Sequence, residues 1–391
     1  VVMMRSLCQR VLSGDEKRIA GGTAQKRSPL LPHFAQLPAL ALPRWGLPFS
    51  IFLLSALFTD ISLAEDDQWL ETVKGLHPYA ALGYTDDSNL LRKSDAAAAL
   101  LPGVPANRAD KYLTIEAGFD TELELSRQRV LLGGRIYNNS YDRFDQLDHT
   151  AGDARAVWKW TYGNLWGGNL GYAYSRKMRD FTNQQIPAKD MLDRHRLFAS
   201  VDRWLTTRWR ASANTQWTDV SSSETRRLDK KRAGVGFSVD HFSGAANSLG
   251  LETNYARSSY DIGSERDYDD WYFGPTAHWE ITTKTTLDAS GGYLRREHDG
   301  LSERDFDGFV GRLTTLWEIT NKTKLSASAW RDLSNLDDEI ADYAIIDGIM
   351  IEPTWAITPK TEVRGLVSYE HRDFQTTDIA PGVPDRVDEI T

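Results

Sequence analysis

The sequence predicts an all-β fold: an antiparallel transmembrane β-barrel of the bacterial outer membrane, with about 16 strands and 18 as the alternative. Three observations carry this expectation. Segments of about 10 residues alternate apolar and polar side chains with period 2, the pattern of a strand whose two faces meet different surroundings. A hairpin-sized unit recurs every 38 residues. Connections alternate between short polar turns and longer acidic loops, as in barrels with tight turns on the periplasmic side and loops outside.

Composition narrows the field. The chain has 391 residues, 41% hydrophobic and 26% charged, and its mean hydropathy of -0.47 excludes a helical membrane protein. With 13 Trp and 15 Tyr it does not read as disordered. A net charge of -9 and a pI near 5.5 argue against a nucleic-acid partner, which leaves a basic footprint. The single cysteine, Cys8, lies in a segment expected to be removed. A Cys-based zinc site, a CxxC redox pair and a thiol nucleophile are thereby excluded from the mature chain.

The N-terminal region reads as an export signal. The apolar run Gly46 to Phe58 is 13 residues, too short for a spanning helix. Arg44 precedes it, and Ser62-Leu-Ala64 supplies small residues at a cleavage site. Residues 1–64 are therefore expected to be an extension plus cleavable signal, 65–75 a short periplasmic segment and 76–391 the barrel. The mature chain would begin at Glu65, and the length before Arg44 fits a start codon assigned too far upstream. No Cys stands at the cleavage point, so the signal is not of the lipoprotein kind.

Within the barrel, Leu113, Ile115, Ala117, Phe119 and Leu123 alternate with Thr114, Glu116, Gly118, Asp120 and Glu122. The repeat is clearest where Trp279-Glu-Ile-Thr, Trp317-Glu-Ile-Thr and Trp355-Ala-Ile-Thr open three copies spaced by 38, with a weaker copy at Trp204. Each copy passes through a short turn (Thr282 to Lys284, Asn321-Lys322, Pro359-Lys360) into a strand such as Leu287, Ala289, Gly291, Tyr293. The apolar face of these strands is expected to meet lipid, with Trp271, Trp279, Trp317, Trp355, Tyr293 and Tyr369 as an aromatic girdle. The polar face is expected to line a wet lumen: Glu116, Asp120, Arg135, Arg155, Lys159, Arg194, Arg210, Glu280, Asp288, Arg312, Glu318 and Arg364. Inward aromatics Tyr137, Tyr272 and Phe198 either stack on sugars or fill space. A β-propeller, the soluble competitor, uses four strands per 40–50 residues, whereas here one hairpin fills 38. About 15 complete strands can be counted, and Val387 to Thr391 reads as the start of another. The sequence lacks a final amphipathic strand closing on an aromatic, so the last strand or strands are expected to be missing from this chain.

Three features carry a family resemblance: Tyr84-Thr-Asp-Asp-Ser-Asn-Leu90 after the first strand, the hairpins with Trp and Thr-Lys-Thr turns, and strand ends such as Tyr293-Leu-Arg-Arg-Glu297 and Tyr369-Glu-His-Arg-Asp373. They resemble the exosortase-associated outer-membrane proteins of exopolysaccharide gene clusters (EpsL-like), within the larger group of β-barrel porins. The resemblance spans roughly Leu76 to Thr391. It implies a role in exopolysaccharide biosynthesis or export, with outer-membrane lipid, lipopolysaccharide, the polymer and periplasmic export proteins as partners. It carries no catalytic residues, and the early stop departs from the family pattern.

No enzyme motif appears: no HExxH, no GxSxG elbow, no phosphate loop. Gly234-Val-Gly236 lies in an alternating strand, where glycines relieve crowding. The histidines are scattered singletons near strand ends or on polar faces, and no cofactor or metal is expected. Asp86-Asp-Ser-Asn89 has the oxygens for calcium but also the composition of a turn, the favoured reading. Asp337-Asp-Glu339 and Asp267 to Asp270 read as solvated loop charges, near bridged lipopolysaccharide. Three functions remain: a non-enzymatic conduit for exopolysaccharide, a general diffusion porin for small polar solutes, or a non-conducting barrel that anchors partners.

Overall fold

The computed structural model describes residues 75–92, 105–179, 181, 188–244, 247–300, 302–334, 343–358, 361–375 and 389–390. The signal segment, the proposed cleavage point and Asp337-Asp-Glu339 lie outside them.

All strands belong to one antiparallel sheet. They are β1 Gly75–Asp87, β2 Asp110–Leu125, β3 Gln128–Tyr141, β4 His149–Tyr162, β5 Trp166–Met178 and β6 Met191–Trp204. There follow β7 Trp209–Ser222, β8 Lys230–Ser243, β9 Asn247–Tyr260, β10 Tyr268–Thr282, β11 Thr285–His298 and β12 Phe306–Thr320. The last are β13 Thr323–Ser334, β14 Tyr343–Thr358, β15 Thr361–Arg364, β16 Val367–Gln375 and β17 Glu389–Ile390. Each strand from β1 to β14 pairs with the next in sequence. β15 and β16 both pair with β14, so they are one strand interrupted at Gly365 and Leu366. The chain thus makes sixteen strand passes, the last represented by β17, whose two residues pair with His371 and Arg372 of β16. This is an outer-membrane barrel meander. Closed barrels of 16 to 18 strands leave an aqueous channel rather than a packed core.

The faces follow from register. Cross-strand partners point to the same side of a sheet. Ala277 pairs with Ala289, which pairs with Leu313, and these belong to the Trp face. His278 pairs with Asp288, which pairs with Thr314, and these belong to the polar face. The Trp face is open to its surroundings: Leu251, Phe273, Phe309, Leu313, Ile349 and Val367 are all exposed. An apolar surface this extensive is incompatible with water but suited to a hydrocarbon band flanked by aromatics. The girdle residues stand on it, from Trp279 at 40% exposed to Trp355 at 53%. Trp271 and Trp279, eight positions apart on β10, are separated by roughly 27 Å of strand, enough to reach both edges of that band once the strand is tilted.

The 38-residue unit can now be given physical content. At the short-turn end, the hydroxyls of Thr206, Thr282 and Thr320 each accept backbone N–H groups two or three residues on, closing the turn. At the long-loop end, a carboxylate does the same work. Asp148, Asp229, Asp267 and Asp305 each accept the backbone N–H seven residues earlier, after a single 3-10 turn. The turn copy at Trp204 is offset by one residue from the others. Trp204 therefore faces inward, packed on Phe242 with ring centroids 4.9 Å apart, and Arg203 takes the outer position against Trp166.

Candidate lumenal site

The charged residues singled out from the sequence occupy the polar face, in two arrangements. Around β7 to β15 they are matched. Arg210 reaches Asp240 at 3.1 Å and lies over Phe242. Asp288 is 2.5 Å from Nδ1 of His278, and Arg312 is 3.9 Å from Asp332 and stacks over Trp330. Glu318 pairs with Lys324 at 2.6 Å and Arg364 with Glu362 at 2.6 Å. The Glu280 side chain is exposed. On β2 and β3, Glu116 accepts the Tyr79 hydroxyl at 2.9 Å, and Arg135 holds Asp153 at 2.5 Å. Asp120 stands opposite Gly133.

The tightest group was not foreseen. Asp270 is fully buried and accepts from Arg296 at 2.7 Å and from Arg232 at 2.9 Å, while Arg232 also donates to Ser258 at 2.8 Å. The Arg296 guanidinium lies 4.0 Å from the centroid of the Tyr268 ring. Asp269 is bonded by Arg257 and Tyr255, and Asp267 closes its loop. The sequence reading of Asp267 to Asp270 as solvated charges is therefore corrected: all three carboxylates have dedicated partners, because β10 begins at Tyr268 and carries Asp269 and Asp270 into the sheet. Asp87 takes a turn role, accepting the Asn89 N–H at 2.9 Å and pairing with Arg92 at 2.7 Å.

On β4 to β6 the arrangement changes. Arg155 pairs across the sheet with Ala173, and Ala173 with Arg196, so two guanidinium-bearing positions flank a small residue in one row. The next row places Val157, Gly171 and Phe198 side by side. A Cβ on Gly171 would collide with the Phe198 ring, so the ring lies flat over β5 and packs against Val157 and Leu131. The Arg155 and Arg196 guanidiniums sit 5.7 and 5.3 Å from its centroid. Phe198 is 2% exposed and Tyr272 5%, so both fill space and neither offers a ring face for sugars. Tyr137 is half-buried beside Arg135. Lys159 and Arg194 face the same side, and neither they nor Arg196 form an ion pair among the described residues.

Between these regions runs a band of amides and hydroxyls. Asn169 pairs with Ser200, Ser200 with Asn214, Asn214 with Gly236 and Gly236 with Asn254. Gly236 leaves the room in which the Asn214 and Asn254 amides meet above the backbone, so this glycine does relieve crowding.

Ser248, His278 and Asp288 form one cross-strand row, the order of a nucleophile, base and orienting acid. The row lacks the rest of an acyl-transfer site. Ser248 makes no hydrogen bond to His278, and the strands on either side keep their backbone N–H groups in the sheet ladder rather than aiming them at an oxyanion.

No family model and no curated protein matches the chain. Solved structures with a similar course include a mutant of the ferric enterobactin receptor of Pseudomonas aeruginosa bound to enterobactin, at 10% identity and a TM-score of 0.44, covering 77% of this chain and 54% of that one. The FrpB iron transporter of Neisseria meningitidis is 9% identical with a TM-score of 0.44, covering 78% and 58%. The siderophore receptor PirA of Pseudomonas aeruginosa is 9% identical with a TM-score of 0.41, covering 79% and 58%. The chain therefore spans little more than half the length of these receptors.

Proposed function

We propose that this outer-membrane barrel is a conduit for a polar polymer, and that the polymer is an exopolysaccharide. The observation that carries the reading is the inner band of Asn169, Ser200, Asn214 and Asn254 across β5 to β9. Amides and hydroxyls exchange hydrogen bonds with sugar hydroxyls at little net energy, so a chain can advance over many weak contacts without being trapped. Strand contacts among the described residues join sequence neighbours, so no described strand crosses the interior. The exopolysaccharide identity rests on the family resemblance. In this reading lipid and lipopolysaccharide surround the Trp face, and periplasmic export proteins deliver the polymer to the short-turn end.

No catalytic step is assigned to the barrel. The decisive experiment is single-channel recording of the full chain in planar bilayers. A stable conductance that falls when dextran or a native exopolysaccharide is added to one side supports the conduit. Conductance without block favours a general porin, and no conductance favours a structural anchor.

A further inference from the structure

We infer that the polymer is anionic, bearing carboxylate or phosphate groups, and that Lys159, Arg194 and Arg196 hold it along the inner wall of β4 to β6. This deepens the conduit reading and depends on it. Elsewhere on the inner face, cations come with acids: Arg135 with Asp153, Arg210 with Asp240, Arg296 with Asp270. A lumen that needed only to be wet would be served by such neutral pairs. Lys159, Arg194 and Arg196 break the rule, since none forms an ion pair among the described residues.

Their surroundings look built for a ligand rather than for packing. Arg196 is steadied against Phe198, and one of its terminal nitrogens is buried without a hydrogen-bond partner. Its head is therefore held in place, while the side chain as a whole keeps part of its surface open. A planar guanidinium so held matches a carboxylate or phosphate in two-point contact. Beside Arg194 and Arg196 β5 contributes the small inner residues Ser175 and Ala173, which leave a shallow trough between β4 and β6. Arg194 and Arg196 are two positions apart on β6, or roughly 7 Å along the strand. Lys159 lies in the row of Asn169 and Ser200, two rows further along. A ladder of separated single cations suits a chain with repeated charges that must pass from one to the next.

The test uses the full chain in planar bilayers with three probes: oligogalacturonate, a neutral dextran oligomer of equal length, and inorganic phosphate. The expected result is half-block by oligogalacturonate at a concentration about tenfold or more below that for dextran. Lys159→Gln, Arg194→Gln and Arg196→Gln combined should remove most of that difference, while Lys324→Gln should keep it. Arg194→Gln alone, at a residue with no ion pair among the described residues, should show a partial loss even where the triple variant folds poorly. Heat-modified gel migration checks folding of each variant. Equal block by the two oligomers would overturn the anionic assignment and leave the conduit standing. Inorganic phosphate acting as strongly as oligogalacturonate would overturn the polymer in favour of a small anion. Full discrimination retained in the triple variant would overturn these three residues. Absence of any conductance would overturn the conduit and this inference together.

Discussion

The inner faces of β10–β11 and of β4–β6 start from the same alternation and end in different physics. On the first, Asp270 stands between Arg232 and Arg296, shut away from water, with Tyr268 covering the guanidiniums. On the second, Arg194 and Lys159 remain half-buried and form no ion pair among the described residues. Buried charges persist only when paired, since the loss of one partner strands the other in a poorly solvated place. Half-exposed charges carry no such demand and are free to serve a ligand. The contrast separates side chains that hold the barrel from side chains that are available to use it.

The largest effect expected from that contrast is on Asp270→Ala. It leaves two buried arginines without their acid and should destabilise the barrel by about 3–5 kcal/mol, read by urea unfolding in lipid vesicles. Asp153→Asn, at the half-exposed Arg135 pair, should cost no more than about 1 kcal/mol. Equal losses would erase the distinction between the two walls.

The next effect tests the two faces rather than the two walls. Arg in place of Ala289, Ala327 or Val367 should cost about 2–4 kcal/mol near the membrane midplane. Arg in place of Ser290 or Ser368, on the inner face, should cost far less in the same unfolding assay. Ser328 is a harsher inner site than its neighbours, because it is buried and bonded to Thr314.

Much of this organisation was legible in the sequence. Lipid outside and water inside force a period of 2, so strands, turns and faces could be read without contacts. The repeated Thr of the turns was visible as well, and its role is now clear from the N–H groups it accepts. The loop carboxylates Asp229, Asp267 and Asp305 recur at the same 38-residue spacing, but composition alone marks them only as loop charges. Pairing such as Asp270 with Arg232 and Arg296 joins three strands and depends on register, which a single strand's pattern does not contain. The flat Phe198 ring likewise depends on a glycine of the neighbouring strand. Trp204 shows how sharp the limit is, since a one-residue offset sends a side chain to the other face.

Smaller effects should follow at the ends of the strands. Asp267→Ala removes the acceptor for the Tyr260 N–H and should cost about 1 kcal/mol, with faster proteolysis of the 261–267 loop. Thr320→Val removes the turn acceptor for Lys322 and Thr323 and should cost about 0.5–1.5 kcal/mol. Arg194→Gln should change stability by no more than about 0.5 kcal/mol, which would mark it as a residue the fold does not need.

The central claim is that the polar face borders water and the Trp face borders lipid. Single cysteines at Leu197, Ala199, Ser200, Val201 and Asp202 of β6, in a chain whose own Cys8 is replaced by serine and which is embedded in vesicles, test it most directly. A membrane-impermeant maleimide should label positions 200 and 202 and spare 197, 199 and 201. Labelling of the odd positions, or of neither set, would contradict a water-filled lumen behind a lipid-facing wall.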